Sequence, residues 1–459
     1  MSLDPVFLSR LQWAWVIGWH ILLPAFTVGL ASYIAVLEGL YFTTKREEWF
    51  RISRFWTRIF SISFAMGVVS GIIMPFQFGT NWSRFSDAAA NIISPMLAYE
   101  DLMAFFLEAT FLGVLLFGRA LVPRWVHFFA ACMVAIGTLF SSFWILSVNS
   151  WMQTPAGFEI RDGRFFPTDW FSIVFNPSFP YRLAHNVSAF YVTTGFVVLG
   201  VGAYLVRRGT HLADGKRMLL MALGFLSIFV PLQIILGDAH GLNTREHQPA
   251  KLAALEGLWD SSSPAPLTLF AIPNQAAERN DYAIEIPYLG SLLLTHSLTG
   301  EVKGLKEWPA DQRPPVWVVF TAFRVMVGIG LIMLLVVVLG WWQASKRRLF
   351  ECAWYLRLCQ WIAPCGFIAV LAGWTVTEVG RQPWTIYGFM RTAHSTSPSI
   401  TGPDVLWSLL AYMVVYLIMF PAGLVVMLRI VQDGPIIATH DAGQVEGQQH
   451  KSPALAKTE

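Results

Sequence analysis

Nine stretches of this chain are long and apolar enough to cross a hydrocarbon core of roughly 30 Å, which takes about 20 helical residues. They fall near 11–42, 59–79, 96–122, 125–148, 184–206, 218–236, 316–343, 353–376 and 404–430. Within lipid each backbone donor and acceptor needs an internal partner, so such stretches are helices. The fold class is therefore all-α: a polytopic membrane protein with about nine transmembrane helices. With only 13% charged residues and a mean hydropathy of +0.52, an ordinary soluble domain is excluded. A net charge of +3 is too small to argue for a nucleic-acid partner. The four cysteines have neither a disulfide framework nor metal-ligand spacing. The first run follows an acidic residue and is too long for a cleavable leader, so it is expected to remain as a span.

Lys and Arg set the orientation. Alternate connections carry Lys45, Arg46, Arg51, Arg54 and Arg58, then Arg119 and Arg124, then Arg207, Arg208, Lys216 and Arg217, then Lys346, Arg347, Arg348 and Arg357. The opposite side carries only Arg10, Arg84, Arg161, Arg164, Arg182, Arg381 and Arg391. The N-terminus is thus expected outside and the C-terminus in the cytoplasm. The chain divides into helices 1–6 (residues 1–236), an outer loop (237–315), helices 7–9 (316–430) and a polar cytoplasmic tail (431–459). Loops as long as 237–315 are functional or disordered. Within it, AKLAALEGLW (250–259) reads as a short amphipathic helix.

Ionisable and ligand-type residues inside the spans carry the functional information. His20 lies about 13 Å into the first span from its outer end, at ~1.5 Å per residue. His185 opens the fifth span, Met326 lies in the outer half of the seventh with Arg324 just before it, and Glu378 closes the eighth. Four potential axial ligands from four helices thus gather in one half of the membrane. Imidazole and thioether are ligands of low-spin haem iron, and a haem with one protein ligand keeps a position open for oxygen. Plainer readings exist for each: Met as core filler, His bonded to a carbonyl, and Trp374, Glu378 and Arg381 as an interfacial anchor. Glu100, Asp101 and Glu108 line up in the third span as a candidate proton relay, with Ser141 and Ser142 as polar company from the fourth. Asn149 reads as a helix-end cap and His127 as an interfacial histidine.

Six motifs occur in order on these spans: Ser9-Arg-Leu-Gln12 with His20, Tyr99-Glu-Asp101 with Glu108, Pro-Tyr-Arg before His185, Lys251-Leu-Ala-Ala-Leu-Glu256, Phe323-Arg-Val-Met326, and Gly373 through Trp384. Together they resemble subunit I of the cytochrome bd-type quinol oxidases, over nearly all of the chain except the tail. The resemblance implies helices bundled around three haems. His185 and Met326 match the ligands of a low-spin haem b. His20 and Glu378 match those of the two high-spin haems, a second haem b and a haem d or a haem b replacing it; which serves which stays open. Lys251 and Glu256 match quinol-binding residues. Arg324 and Arg381 match residues beside the haems, Trp374 a residue between them, and Glu100 and Glu108 the proton-supply acids. Residues 257–315 are short for the family, which resembles the branch that includes the oxidases called cyanide-insensitive.

The resemblance further implies a bacterial inner-membrane protein that works with subunit II and a small single-span subunit. Quinol is oxidised at the outer face, O2 is reduced to water, and protons enter from the cytoplasm, generating proton motive force. The rival class is an ion transporter or channel built on the same acids and histidines. A haem subunit that only passes electrons is the other alternative.

Overall fold

The computed structural model describes residues 4–435. The expected tail, 431–459, therefore lies outside the described residues from 436 onward. The first run is two helices joined at a proline: α1 (Pro5–Leu22), with Asp4 accepting from the Val6 and Phe7 amides, and α2 (Pro24–Thr44). Then come α3 (Glu47–Thr80), α4 (Ser83–Tyr99), α5 (Phe106–Phe117) and α6 (Arg124–Gln153). A hairpin of β1 (Phe158–Arg161) and β2 (Arg164–Pro167) leads through α7 (Trp170–Val174) to α8 (Phe179–Arg208) and α9 (Leu212–His247). The long connection holds α10 (Pro249–Glu256), β3 (Leu267–Asn274), β4 (Arg279–Ile286) and α11 (Leu289–Thr295). The chain closes with α12 (Val316–Ser345), α13 (Ala353–Ile362), α14 (Cys365–Val379), a short β5–β6 hairpin (Trp384–Ile386, Met390–Arg391) and α15 (Gly402–Asp433).

Among the described residues, eight helical segments are long and apolar enough to cross a membrane. The third expected span is different. Residues 96–122 do not form one α-helix: α4 and α5 are joined by a π-helical turn over Glu100–Phe105. Pro95 inside α4 removes a backbone donor and crowds the carbonyl one turn back. The wider π register that follows carries Glu100 and Asp101. A second difference concerns the outer loop, expected from 237. Helix α9 runs on to His247, so Asp238, His240 and Arg245 are helical and the loop proper starts at Gln248.

The core of the bundle is an apolar cluster drawn from α2, α3, α6, α8, α9, α12 and α13. Small residues let these helices approach closely. A Cβ on Gly202 of α8 would stand 2.8 Å from the Leu219 backbone nitrogen of α9. At one end, hydrogen bonds gather the connections into a single layer. Asn81 donates to Gln12 (2.8 Å), the Ser397 amide to the Asn81 carbonyl (2.9 Å), and Gln248 to the Gln153 carbonyl (3.0 Å). The opposite end is tied by Arg51 to Asp214 (2.7 Å) and by a buried cluster of Glu38 with Ser53, Arg119 and His127. His127 is thus not an interfacial residue: its ring bridges Glu38 and the Leu115 carbonyl (both 3.1 Å).

Candidate functional site

Beneath the layer that joins the loops lies one cavity of about 1570 Å³. That exceeds the ~300–1,000 Å³ of a site for one drug-sized ligand. His20 of α1, His185 of α8, Met326 of α12 and Glu378 of α14 all line it, together with Trp374, Arg381, Glu100, Glu108, Lys251 and Glu256. The four ligand-type residues come from four helices whose order in the bundle brings them to one space.

Three of the four sit against a glycine on a facing helix. A Cβ on Gly71 would lie 3.2 Å from His20 Cε1, one on Gly237 3.4 Å from His185 Cε1, and one on Gly373 2.8 Å from Met326 Sδ. His20 Nδ1 is also within 2.9 Å of Ser70 Oγ, and Gln233 Nε2 within 3.2 Å of His185 Nε2. Such second partners fix the orientation of a ligating ring.

Glu378 is the centre of the polar part. Its carboxylate accepts from Arg381, from Asn149 Nδ2 (2.9 Å) and, more weakly, from Gln153 Nε2 (3.4 Å). Asn149 in turn accepts from Arg182. Asn149 is therefore not a helix-end cap; it sits a turn inside α6 and couples α8 to α14. Lys251 lies over Gly380 and donates to Gln153 and Gln248 (2.7 Å each). Burial pulls its ammonium pKa well below the ordinary value; Arg182 and Arg381 act in the same direction and Glu378 opposes them. Three basic side chains thus surround one carboxylate. Arg182 Nε and Arg381 Nε and Nη1 are buried without a hydrogen-bond partner. Buried donors of this kind call for acceptors.

Arg324 stands apart from the expected group. It does not line the cavity. Its guanidinium bonds Glu256 (2.9 Å), the Thr268 carbonyl (2.8 Å) and the Leu255 carbonyl (3.2 Å), and lies over Phe320. It pins the outer loop to α12. Glu100 accepts from Ser141 (2.6 Å), as expected, and Glu108 is buried with Oε1 unpartnered. Arg182, Asn149, Gln153, Gln233 and His240 also belong to the site but were not singled out as its members by sequence. The His240 ring stands 5.5 Å from that of His185. The signal available was Asn149 and Gln153, four apart on one face of an apolar helix.

The donor set suits haem. Among the described residues no group of three or more His, Cys, Asp or Glu could hold a metal ion together. Each ligand-type residue stands singly, as an axial ligand does, and the unpartnered guanidinium donors match the carboxylates a haem carries.

The family model for cytochrome bd terminal oxidase subunit I matches residues 8–435. This chain belongs to that family. It is 36% identical to the cytochrome bd ubiquinol oxidase subunit 1 of Bacillus subtilis, over 96% of this chain and 95% of that one. To the cytochrome bd-II ubiquinol oxidase subunit 1 of Escherichia coli it is 33% identical, over 94% and 97%. The bd oxidase structure from Geobacillus thermodenitrificans superposes with a TM-score of 0.88 at 32% identity, covering 94% of this chain and 99% of that one. Family membership makes this a multi-pass membrane subunit that carries haem and works within a multi-subunit terminal oxidase.

Proposed function

We propose that this subunit oxidises quinol beside the 237–315 loop, on the outer face of a bacterial inner membrane, and reduces O2 to water within the cavity. The observation that carries this is the cavity itself, where His20, His185, Met326 and Glu378 converge beside guanidinium donors that lack acceptors. His185 and Met326 would hold a low-spin haem b. His20 and Glu378 would hold two high-spin haems, a second haem b and a haem d or its haem b replacement. When bound, haem iron supplies one-electron transfer and an open position for oxygen.

The remaining roles belong to the chain. Lys251 and Glu256 border the cavity under the outer loop, where a quinol head would meet a donor and an acceptor. Arg324 keeps Glu256 in place. Arg381 holds the Glu378 carboxylate and Arg182 the Asn149 amide oxygen, which keeps the two in register, and their unpartnered N–H groups would take the haem carboxylates. Trp374 fills space one turn before Glu378. Glu108 and Glu100, with Ser141, would pass protons from the cytoplasmic side, so that quinol protons and oxygen protons part across the membrane. Subunit II, and a small single-span subunit, would complete the assembly. The names of the relatives include both ubiquinol and menaquinol oxidases, so the donor is a quinol of one of these two classes. The test is quinol-driven oxygen consumption by the purified complex, with haem typing of the extracted pigment. A colourless complex, or one that consumes no oxygen with quinol, would overturn the reading.

A further inference from the structure

The β3–β4 hairpin of the outer loop turns its apolar side chains outward. Phe270 pairs with Ile284 across the strands, and Leu267 with Ile286. Phe270 is 53% exposed, Ile284 59% and Tyr282 81%. The β1–β2 hairpin behaves differently. Its Phe158 and Phe165 pack on Trp151 and under Phe389. A contiguous exposed apolar face on a loop meant for water needs an explanation.

Helix α12 supplies a ruler. Exposed Trp341 and Trp342 lie near one end and exposed Trp317 at the other, as interfacial tryptophans do. Arg324, which holds the Thr268 carbonyl of β3, stands 18 residues from Trp342. At 1.5 Å per residue that is about 27 Å, within the ~30 Å of a hydrocarbon core. Trp317 lies about 37 Å from Trp342 on the same scale, at headgroup depth. The root of the hairpin is therefore fixed inward of the aromatic belt on its own side. On α12, Val325, next to the arginine that holds the hairpin's root, is exposed as well. Helix α11 carries the hairpin's exposed face on to the cavity, with Leu292 exposed and Leu293 at the cavity wall.

We propose that the outward face of the β3–β4 hairpin, with α11, is immersed in membrane lipid at the boundary on the loop side, and does not stand in water. Phe270, Tyr282, Ile284 and Ile286 contact acyl chains. Asp281 and the 275–279 turn reach the headgroups. This placement is independent of the oxidase reading, because it rests on depth along α12 and on exposure alone.

The test uses the complete complex in vesicles of phosphatidylethanolamine and phosphatidylglycerol that contain a phospholipid with a photoactivatable diazirine in its acyl chain. After illumination, adducts are mapped on peptides by mass spectrometry. The expected result is labelling within 267–286 at a yield within a few-fold of that on the exposed face of α12. Labelling of α12 without the hairpin overturns the proposal.

Spin labels discriminate the alternatives. Ile284→Cys is compared with Lys303→Cys as the aqueous reference and Leu335→Cys as the lipid reference, in a background with serine at the four native cysteine positions. The ratio of collisions with O2 to collisions with a water-soluble nickel chelate at position 284 should match that at 335 and exceed that at 303 several-fold. A ratio like that at 303 refutes immersion. Few collisions with either reagent also refutes it, because a partner subunit or a second copy then covers the face. If the serine background does not fold, the photolabelling of the unaltered complex decides alone.

Discussion

Replacing Arg324 with Met separates two roles that its sequence position left joined. The family resemblance implies a place for Arg324 beside a haem. In the structure it binds Glu256 and the carbonyls of Leu255 and Thr268, with Phe320 and Phe323 beneath it at 4.5 and 5.2 Å. Met keeps the length and the packing but removes the charge. Glu256 is then left without a partner, with its side chain 7% exposed. Breaking such a buried pair costs about 3–5 kcal/mol. Since the Arg324 side chain is 19% exposed, the low end applies, about 3 kcal/mol. At 1.4 kcal/mol per tenfold this weakens the seating of the loop by up to about 100-fold. The KM for quinol should rise by at least about tenfold, while the haem spectrum and haem content stay as in the parent. In a double-mutant cycle with Glu256→Met, the two changes should couple by about 1–3 kcal/mol. A lost or shifted haem signal with an unchanged KM would refute the loop-anchor assignment and return Arg324 to the cofactor.

Three further outcomes follow from the same geometry. Gly373→Ala places a methyl 2.8 Å from Met326 Sδ and should perturb the reduced low-spin spectrum, whereas Gly328→Ala, with open space around it, should not. Glu108→Gln should keep haem content and lower turnover by at least about tenfold, read as oxygen uptake at saturating quinol. Asp311 is hydrogen-bonded by Arg391, which holds its carboxyl below the ordinary value. A depressed pKa contributes stability above the unfolded value of about 4 and loses it as pH falls through the folded value. The melting temperatures of parent and Asp311→Asn should therefore differ slightly near neutral pH and converge toward pH 3.

Much of the architecture was legible because lipid leaves a helix few alternatives. The apolar runs located the spans, and the residues that interrupt them located the site. Trp374 and Glu378, four apart, share a face and both reach the cavity. What failed did so for identifiable reasons. Residues two apart on a helix point about 200° apart, so Arg324 and Met326 face different neighbours, and Arg324 meets the cavity through Glu256. Polarity after residue 236 marks where α9 leaves lipid, not where its backbone hydrogen bonding ends; past Pro231 no further proline occurs before Pro249. The π turn is a change of backbone register, which hydropathy does not register. Asn149 is uncharged and lies near the end of a span, so it reads as a cap; its partners on α8 and α14 are brought to it only by the fold.

The balance of charge around Glu378 gives those partners a common purpose. Arg182, Arg381 and Lys251 bring three basic groups to one carboxylate in a buried setting, and both guanidinium groups keep unused donors. Without further anions this end of the bundle is costly, because buried charge is tolerated only when paired. On the proposed reading, the carboxylates of the haems are those anions. A ligand that binds only the folded state stabilises it, so haem would secure the packing of α6, α8 and α14 as well as bring redox chemistry. The same surplus positive charge favours the arrival of an electron, since a nearby cation lowers the energy of added negative charge. Assembly of the site and the direction of electron flow would then draw on one electrostatic feature, which explains why Asn149, itself uncharged, is placed to hold a guanidinium and a carboxylate together.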